Sequence, residues 1–375
     1  MKYLLFIFIN FIGLLAVAQQ SIETTIEQRL NTELENEIIK SGILHVYSAS
    51  RDINFRLAES KEDSISIHSP FYTASITKML TATAIGILKE QQLLDFEDKI
   101  ALYLPDSLMN NLHVLDGKDY SKDLKIAHLL QHTSGLPDYF TDITNDESPN
   151  IINQLIIQPN KSWSAEEMIQ FSKDKMTSLF IPGEGYHYTD TEYVLLALII
   201  ENLSDLSLAM FFQQYIFQPL NMNSSYINLN ENKAIVNKRP LVKFYAGDYE
   251  LSSLKSLSAD WGGGGLVSST QDLIKFFEAL NQDKILKKET RLVMQHWIDE
   301  SFGMKYGFGI RQVALDKLFN TETPLELIGH NGSTASFLWY CPQLDTYISG
   351  TLNQLEASKA AMILVYDILR IIETY

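Results

Sequence analysis

Short apolar runs separated by polar breaks open the main body of the chain. Ile43 to Ser48 and Ile53 to Leu57 are two such runs, and Arg51 and Asp52 lie between them. Two strand-like runs joined by a short polar segment are typical of a β-hairpin. The first predicted element is therefore a pair of antiparallel strands.

Helical patterns dominate the middle of the chain. Residues from Met79 to Leu88 and from Tyr193 to Glu201 are apolar almost all round, which predicts two buried helices. An amphipathic helix is predicted around Asp272 to Leu280, and the segment from Ser358 to Ile372 has apolar residues at helical spacing. Strand-like runs lie between these last two helices: Phe308 to Val313, Leu325 to Ile328, Ala335 to Tyr340 and Thr346 to Leu352.

This order of elements predicts an α+β fold, with an antiparallel sheet flanked by helices and a second, mainly helical domain. The sheet domain is predicted to combine residues 19–72 with residues 262–375, and the helical domain to comprise residues 73–261. A cleft between two such domains is a natural place for a binding site.

The N-terminal segment has the pattern of a secretory signal. Lys2 precedes a mostly apolar run that ends in small residues at positions 16–18. The run is short for a bilayer span, which needs about 20 residues. Residues 1–18 are therefore predicted to be a cleaved signal peptide, with the protein exported to the periplasm or secreted, and with no stable membrane anchor.

Charge and cysteine content narrow the range of partners. The formal net charge of −16 makes the chain a poor partner for nucleic acid or anionic lipid. Cys341 is the only cysteine, so no internal disulfide can form, and its apolar surroundings predict a buried structural thiol.

A serine and a lysine three residues apart are the strongest chemical signal. Ser75 and Lys78 open the first predicted buried helix, where this spacing places both side chains on one face. A serine hydroxyl needs a neighbouring base to act as a nucleophile, and burial can lower the pKa of a lysine enough for that role. A helix start also directs backbone N–H groups at the reacting centre. The alternative is a helix-capping serine beside a surface lysine.

The same spacing occurs twice more in the chain. Ser172 with Lys175 lies in a charged amphipathic stretch, and Ser252 with Lys255 lies in a serine-rich segment that looks like a loop. Both pairs are interpreted as solvated side chains rather than as catalytic groups.

The run FYTASITKMLTATAIGILKE around Ser75 resembles the nucleophile helix of the serine beta-lactamase-like superfamily. That superfamily includes class C beta-lactamases, penicillin-binding proteins, D-aminopeptidases and related esterases. Five further runs resemble its later landmarks in the same order: KIAHLLQHTSGLPDY, FIPGEGYHYTDTEYVLLALIIE, IFQPLNMNSSY, GGGGLVSSTQDLIKFFEAL and IGHNGSTASFLWYCP. The resemblance covers most of the chain after residue 18. It implies a beta-lactamase/transpeptidase-like fold with Ser75 as nucleophile and Lys78 as base.

The resemblance places the family's Tyr-x-Asn element at Tyr188, Thr189 and Asp190. It implies that the tyrosine shares proton transfer with Lys78, and that the third residue contacts the lysine and the substrate amide. The third residue here is an aspartate, and a carboxylate beside Lys78 would favour the charged lysine, which is not a base. Either Asp190 points elsewhere or Tyr188 carries more of the base role. A second match, residues 226–228, lies in another landmark and is interpreted as structural.

The third element falls at His330, Asn331 and Gly332, where relatives carry Lys-Thr-Gly or His-x-Gly. The resemblance implies that Gly332 lets substrate lie against a strand edge and that Ser333 offers a second oxyanion N–H beside that of Ser75. His330 would supply a positive charge for a substrate carboxylate only when protonated. The alternative is an Asn-Gly hairpin turn with an incidental histidine.

Neither a metal nor an organic cofactor is predicted. His128 and His132 are four residues apart, but no glutamate follows His128 as a zinc protease would need. The glycines at positions 262–265 do not form a phosphate-binding motif.

The sequence therefore predicts a serine hydrolase that forms an acyl-enzyme on a small ester, peptide or beta-lactam-like substrate. The absence of a lysine at position 330 favours an esterase or a D-amino-acid peptidase or carboxypeptidase. The alternatives are a beta-lactamase proper and a penicillin-binding or regulatory homologue that does not hydrolyse its ligand. The sequence does not indicate an oligomeric state.

Overall fold

A computed structural model describes residues 22–228 and 239–374 of the chain. The predicted signal peptide, residues 1–18, lies outside the described residues.

The described residues contain thirteen α-helices. In chain order these are α1 (22–34), α2 (Thr77–Glu90), α3 (Asp106–Met109), α4 (Ile126–Leu130), α5 (Ile151–Ile157), α6 (Ala165–Lys175), α7 (Asp190–Ser204), α8 (Leu208–Phe212), α9 (Trp261–Gly264), α10 (Thr270–Asn281), α11 (Lys288–Met294), α12 (Leu315–Phe319) and α13 (Ser358–Glu373). Five of them, α5, α6, α7, α8 and α10, begin at a capping side chain. Ser164, for example, accepts a hydrogen bond from the Glu167 N–H while the Glu167 side chain accepts one from the Ser164 N–H.

The same residues form fifteen strands. They are β1 (Ser41–Ser48), β2 (Ile53–Ser60), β3 (Phe71–Tyr72), β4 (Val114–Leu115), β5 (Lys118–Asp119), β6 (Tyr226–Ile227), β7 (Tyr245–Ala246), β8 (Tyr249–Glu250), β9 (Leu266–Ser268), β10 (Ile298–Ser301), β11 (Met304–Tyr306), β12 (Arg311–Ala314), β13 (Glu326–Asn331), β14 (Ser336–Cys341) and β15 (Thr346–Thr351).

Eight strands make one antiparallel sheet, in the spatial order β10-β11-β12-β13-β14-β15-β1-β2. Strand β1 pairs with β15, with Ile43 opposite Thr351, so strands from the early and the late part of the chain join within one sheet. The division into domains at residues 72/73 and 261/262 stays a prediction.

A smaller sheet positions the predicted nucleophile. Its order is β3-β9-β6, and Tyr72 at the end of β3 lies opposite Val267 in β9. The Thr73 N–H then donates to the Leu266 carbonyl at 3.0 Å. The chain is therefore fixed to a strand immediately before it turns into Ser75.

Two apolar clusters hold these elements together. The larger one surrounds α2 and α7, both buried along nearly their whole length, as their all-round apolar sequences predict. The smaller one packs α13 and residues of α1 against one face of the sheet. Burying a leucine or isoleucine side chain stabilises the fold by about 1.5–3 kcal/mol, so both clusters contribute strongly.

The structure confirms the hairpin, the four helices and three of the four later strands to within a few residues. The run from Phe308 was placed too early, because Phe308 to Ile310 precede β12 and only Arg311–Ala314 pair in the sheet. Strands β10 and β11 were missed, because they are only four and three residues long, and β10, with the sequence IDES at the sheet edge, has no fully buried residue.

No single helix within residues 22–228 and 239–374 is long and apolar enough to cross a membrane. The bent pair formed by α7 and residues 208–217 passes on length and composition only, and α7 is buried.

Leu364 on α13 tests how much the second cluster contributes, because its side chain is fully buried. We expect Leu364→Ala to lower the free energy of unfolding by about 2–5 kcal/mol through lost burial and a cavity. The matched control is Leu102→Ala, at a leucine that is 70% exposed. Urea midpoints measure both, and equal midpoints for the two variants would contradict the packing described here.

Candidate active site

Ser75 lies in a short 3₁₀ turn, Ala74–Ile76, that leads directly into α2. Ala74 has a φ of 47°, a left-handed conformation that is strained for any residue except glycine. The Thr77 hydroxyl holds the turn by donating to the Ala74 carbonyl at 2.7 Å, and it accepts from the Leu266 N–H at 3.0 Å. Ser75 is partly exposed although the residues on either side of it are buried. The sequence thus folds into a rigid turn that presents one hydroxyl.

Lys78 is the nearest basic group to that hydroxyl. Its Nζ lies 3.4 Å from Ser75 Oγ, donates to Gly263 O at 3.0 Å, and forms an ion pair with Asp190 Oδ1. The lysine side chain is fully buried. Burial alone would lower the pKa of Lys78, but the Asp190 carboxylate and Tyr188 outweigh it and raise that pKa above its usual value. Lys78 is therefore charged in this arrangement.

Asp190 points at Lys78, so the alternative in which it points elsewhere is wrong. Its position follows from α7, of which it is the first residue, and from the Asp138 carboxylate, which accepts from the Asp190 N–H at 2.9 Å.

Gly263 is a site residue that sequence reasoning missed. A Cβ at Gly263 would lie 2.3 Å from Asp190 Oδ1, so the glycine run next to Trp261 is the signal that could have identified it.

Tyr188 lies beside the same lysine, with Lys78 Nζ 4.8 Å from the centroid of its ring. Its hydroxyl is buried and has no partner with hydrogen-bond geometry among the described residues. Burial raises the pKa of Tyr188 in spite of the nearby Lys78 and Arg311 charges. The tyrosine is therefore a neutral hydroxyl in this state.

A buried pair behind Tyr188 fixes its ring and was not foreseen as part of the site. The His132 ring centroid is 4.3 Å from that of Tyr188, and His132 Nδ1 is 2.5 Å from Glu192 Oε2. Both side chains are fully buried. Burial lowers the pKa of His132 and raises that of Glu192, so the pair shares one proton as a neutral unit. The sequence offered one signal for this pair, His132, but the sequence analysis considered that residue only as a possible metal ligand.

Gly332 follows β13 and lies against the nucleophile turn. A Cβ there would be 2.3 Å from Thr73 O and 2.9 Å from Ala74 Cβ. The hydroxyls of Thr334 and Ser336 bond the same backbone, donating to Tyr72 O and Thr73 O. The close approach that requires glycine is thus to protein backbone, and a role for Gly332 in admitting substrate stays a prediction.

His330 is part of β13 and fully buried, and the chain forms a hairpin between Asn331 and Ser336, as the hairpin alternative predicts for the segment that follows the histidine. Its Nδ1 lies 2.7 Å from Asn331 O and its Nε2 lies 3.1 Å from the Tyr306 hydroxyl. Burial, together with Arg311 and Lys78, lowers the pKa of His330 well below its usual value. The positive charge considered for this position is therefore not available, because the ring stays neutral.

Arg311 is the positively charged side chain near this position, and sequence reasoning missed it. Its guanidinium binds both oxygens of Glu300, at 2.6–3.1 Å, and donates to Asn331 Oδ1 at 3.0 Å. It also lies 4.9 Å from the Tyr188 ring centroid. The signal was the one charged residue in the strand-like run from Phe308 to Val313. Because Glu300 pairs with it closely, Arg311 offers no free cation.

Two backbone N–H groups are open at the predicted oxyanion site. Ser75 and Ser333 line the same cavity. In the parts of the chain that the structure describes, neither N–H donates to a protein acceptor. Two such donors beside a nucleophile can stabilise the negative charge of a tetrahedral intermediate.

The cavity next to Ser75 has a volume of about 230 Å³. Its walls combine apolar side chains, such as Phe140, Leu155 and Phe244, with carboxylates. A larger cavity of about 430 Å³ lies near Trp163, but it contains none of the predicted catalytic residues. The chemistry therefore favours the smaller cavity as the substrate site.

The other candidate residues lie elsewhere. Lys175 pairs with Asp146 rather than with Ser172, and Ser252 donates to Glu250. Asn228, the end of the second Tyr-x-Asn match, donates to the Tyr72 hydroxyl. Within residues 22–228 and 239–374 no group of three acidic, histidine or cysteine side chains could hold a metal ion.

The fold and the serine-lysine pair together define a class of protein, the serine hydrolases built on an antiparallel sheet with helices. The family model for beta-lactamases matches residues 54–368. The chain therefore belongs to the beta-lactamase family and has its α+β fold.

Three similar proteins show the breadth of that family. A penicillin-binding protein of Bacillus subtilis (strain 168) is 32% identical over 64% of this chain and 51% of its own length. The D-amino acid amidase of Ochrobactrum anthropi SV3, in complex with L-phenylalanine amide, superposes with a TM-score of 0.77 at 20% identity, over 94% of this chain and 99% of the amidase. EstCE1, a hydrolase with promiscuous acyltransferase activity, gives a TM-score of 0.73 at 18% identity, over 94% and 99%. The chain spans about half the length of the first curated relative.

The Lys78–Asp190 pair predicts an alkaline pH profile. A raised pKa keeps Lys78 protonated until the pH is high, so we expect the rate of Ser75 labelling by a neutral fluorophosphonate to rise with pH through the alkaline range. Asp190→Asn removes the group that raises that pKa, so the rise should move to lower pH by about 1–3 units. Labelling rates between about pH 5 and about pH 10 measure this, with circular dichroism as a check of folding. An unchanged profile would show that Lys78 does not set it.

Proposed function

We propose that this protein is an acyl-transfer hydrolase that cleaves small ester or amide substrates through an acyl-enzyme on Ser75. The observation that carries the proposal is the contact between Ser75 Oγ and the buried ammonium group of Lys78. The cavity beside this contact is lined by Ser75 and Ser333, whose backbone N–H groups have no protein acceptor among the described residues. A nucleophile, a candidate base and an oxyanion site are the minimum set for acyl transfer.

In the proposed reaction Ser75 Oγ bonds to the substrate carbonyl carbon while its proton passes to Lys78 in those molecules whose lysine is deprotonated, a fraction that grows with pH. The bond from that carbon to the leaving oxygen or nitrogen then breaks, and the leaving group takes the proton through Lys78 and Tyr188. A water molecule next attacks the acyl-enzyme, giving the carboxylic acid and restoring the Ser75 hydroxyl. The N–H groups of Ser75 and Ser333 hold the oxyanion in both steps.

The charges around the cavity favour an esterase or a D-amino-acid peptidase over a beta-lactamase or a D-alanyl-D-alanine carboxypeptidase. Beta-lactams and D-alanyl peptides carry a carboxylate that needs a free cation, but His330 is neutral and Arg311 is paired with Glu300. The amidase and the hydrolase among the similar structures support the same substrate range.

Export is part of the proposal. The signal-like pattern of residues 1–18 supports secretion or transport to the periplasm. We expect the protein isolated from its own cells to begin at Gln19, as measured by intact mass. A mass that retains residues 1–18 in the isolated protein would contradict export by cleavage.

A second candidate is a homologue that is acylated but does not release the product. The charged Lys78 beside Asp190 favours it, because a protonated lysine cannot activate water. The two candidates differ in turnover rather than in labelling.

Ser75→Ala tests the proposal. We expect the wild type to gain the mass of one fluorophosphonate adduct and to hydrolyse p-nitrophenyl acetate and butyrate, and Ser75→Ala to lose both activities by at least about 1,000-fold. Ser172→Ala and Ser252→Ala, at the two other serines with a lysine three residues on, are matched controls that should keep both.

The outcomes separate the candidates. Labelling of the wild type without turnover would favour the non-hydrolysing homologue. No labelling of the folded wild type, or full activity in Ser75→Ala, would overturn the proposed function.

A further inference from the structure

The substrate cavity next to Ser75 is acidic. Three carboxylates line it, from Asp138, Asp190 and Asp260, and none of its lining residues among those described is a lysine, arginine or histidine. With the family's asparagine at position 190, Asp138 and Asp260 would still line the cavity, so the aspartate adds a third acidic group to those that a substrate meets.

The three carboxylates are in different states. Both oxygens of Asp138 are occupied, by the N–H groups of Phe140, Thr141 and Asp190 and by the Thr141 hydroxyl, so Asp138 has a structural role. The Asp260 carboxylate accepts no hydrogen bond from the described residues, and its half-buried side chain faces the cavity. A half-buried carboxylate with no protein donor can still accept a hydrogen bond, and a ligand that brings a charged donor would stabilise it.

Asp260 is therefore suited to a cation. Burial and the nearby Asp190 charge raise the pKa of Asp260 to about 7, and an entering ammonium group would stabilise its ionised form. The neighbouring apolar walls, including Phe140, Leu155 and Phe244, would hold the side chain attached to such an amine.

Asp190 connects this cation site to the nucleophile. Its side chain is 18% exposed towards the cavity, whereas its partner Lys78 is fully buried. A second cation can therefore approach Asp190 only from the cavity side. Lys78 keeps two other contacts, with Gly263 O at 3.0 Å and Ser75 Oγ at 3.4 Å, so it stays in place when its share of the Asp190 charge falls.

We propose that the acyl part of the substrate carries a protonated amine, which binds between Asp260 and Asp190 and, by sharing the Asp190 charge, releases Lys78 to accept the proton of Ser75. The substrate class is then amino-acid esters and amides, and short peptides with a free amino terminus. This inference rests on the proposed acyl-enzyme function of Ser75 and names its substrate. It also gives Asp190 a role, since the substrate relieves the charge that otherwise holds Lys78 in the wrong state for a base.

The experiment compares two esters that differ only in the amine. Methyl phenylalaninate, in each enantiomer, and methyl 3-phenylpropanoate are hydrolysed by the wild type while acid release is followed. We expect kcat/KM for the preferred amino ester to exceed that for the amine-free ester by about 10–100-fold, the range of a hydrogen bond to a charged group. Part of the gain should appear in kcat, because the amine changes the state of Lys78.

Asp260→Asn tests whether Asp260 binds the substrate amine, because asparagine has the same shape as aspartate and cannot ionise. We expect it to reduce the ratio of the two kcat/KM values at least about ten-fold, the effect of losing one charge-assisted hydrogen bond. Asp106→Asn, at an exposed aspartate in the first turn of α3, is the matched control and should leave the ratio within about two-fold. Circular dichroism and fluorophosphonate labelling establish that the Asp260 variant is folded.

Each failure has a distinct meaning. Equal kcat/KM values for the two esters in the wild type, or no turnover of the amino ester by an enzyme that cleaves p-nitrophenyl butyrate, would overturn this inference and leave the proposed function standing. An unchanged ratio in folded Asp260→Asn would overturn the assignment of the amine to Asp260. A wild type that fluorophosphonate does not label would overturn the proposed function, and this inference with it.

Discussion

The ammonium group of Lys78 has no exposure to solvent, and the Asp190 carboxylate is the group that stabilises its charge there. Removing an ion from water costs several kcal/mol, and that cost is offset only by close pairing and by further hydrogen bonds. Lys78 has both, from Asp190 and from the Gly263 carbonyl. Helices α2, α7 and α9 each contribute one of these three residues, so their packing is what keeps the pair together.

The close packing at the ends of these elements follows from the same requirement. Gly263 admits Asp190 because it has no Cβ, and Gly332 admits the backbone of Thr73 for the same reason. The hydroxyls of Thr334 and Ser336 then join the β13–β14 connection to the residues before Ser75. The nucleophile is thus fixed from the sheet on one side and from the helices on the other, and small residues stand where those two parts approach most closely.

Much of the fold could be predicted from the sequence because it depends on local patterns. The hairpin β1–β2, the buried helices α2 and α7 and the terminal helix α13 all have apolar periodicity that the chain shows directly. Strands β10 and β11 give no such signal, since they are too short to show a period, and the edge strand β10 has no fully buried residue. The positions of Ser75, Lys78, Tyr188 and Asp190 could be predicted from motif spacing, whereas their charge states could not. The states depend on residues distant in sequence, such as Arg311, whose effect on His330 and Tyr188 arises only when β12 and β13 pair.

Position 190 is where this chain departs from the family pattern, with an aspartate in place of asparagine. The surroundings of Asp190 explain why the site can accommodate that carboxylate. In the family pattern an asparagine at this position leaves the lysine without a carboxylate, and burial alone then favours a neutral base. With an aspartate, the resting site is a neutral ion pair instead of a neutral lysine, which removes the cost of an unpaired buried charge but leaves no base. The cavity beyond the pair is lined by further carboxylates rather than by cations. A site with this distribution of charge stabilises a positively charged ligand at the Asp190 carboxylate, in competition with Lys78. It repels a negatively charged ligand. The same substitution therefore affects both the base and the choice of substrate, because one carboxylate faces the lysine and the cavity at once.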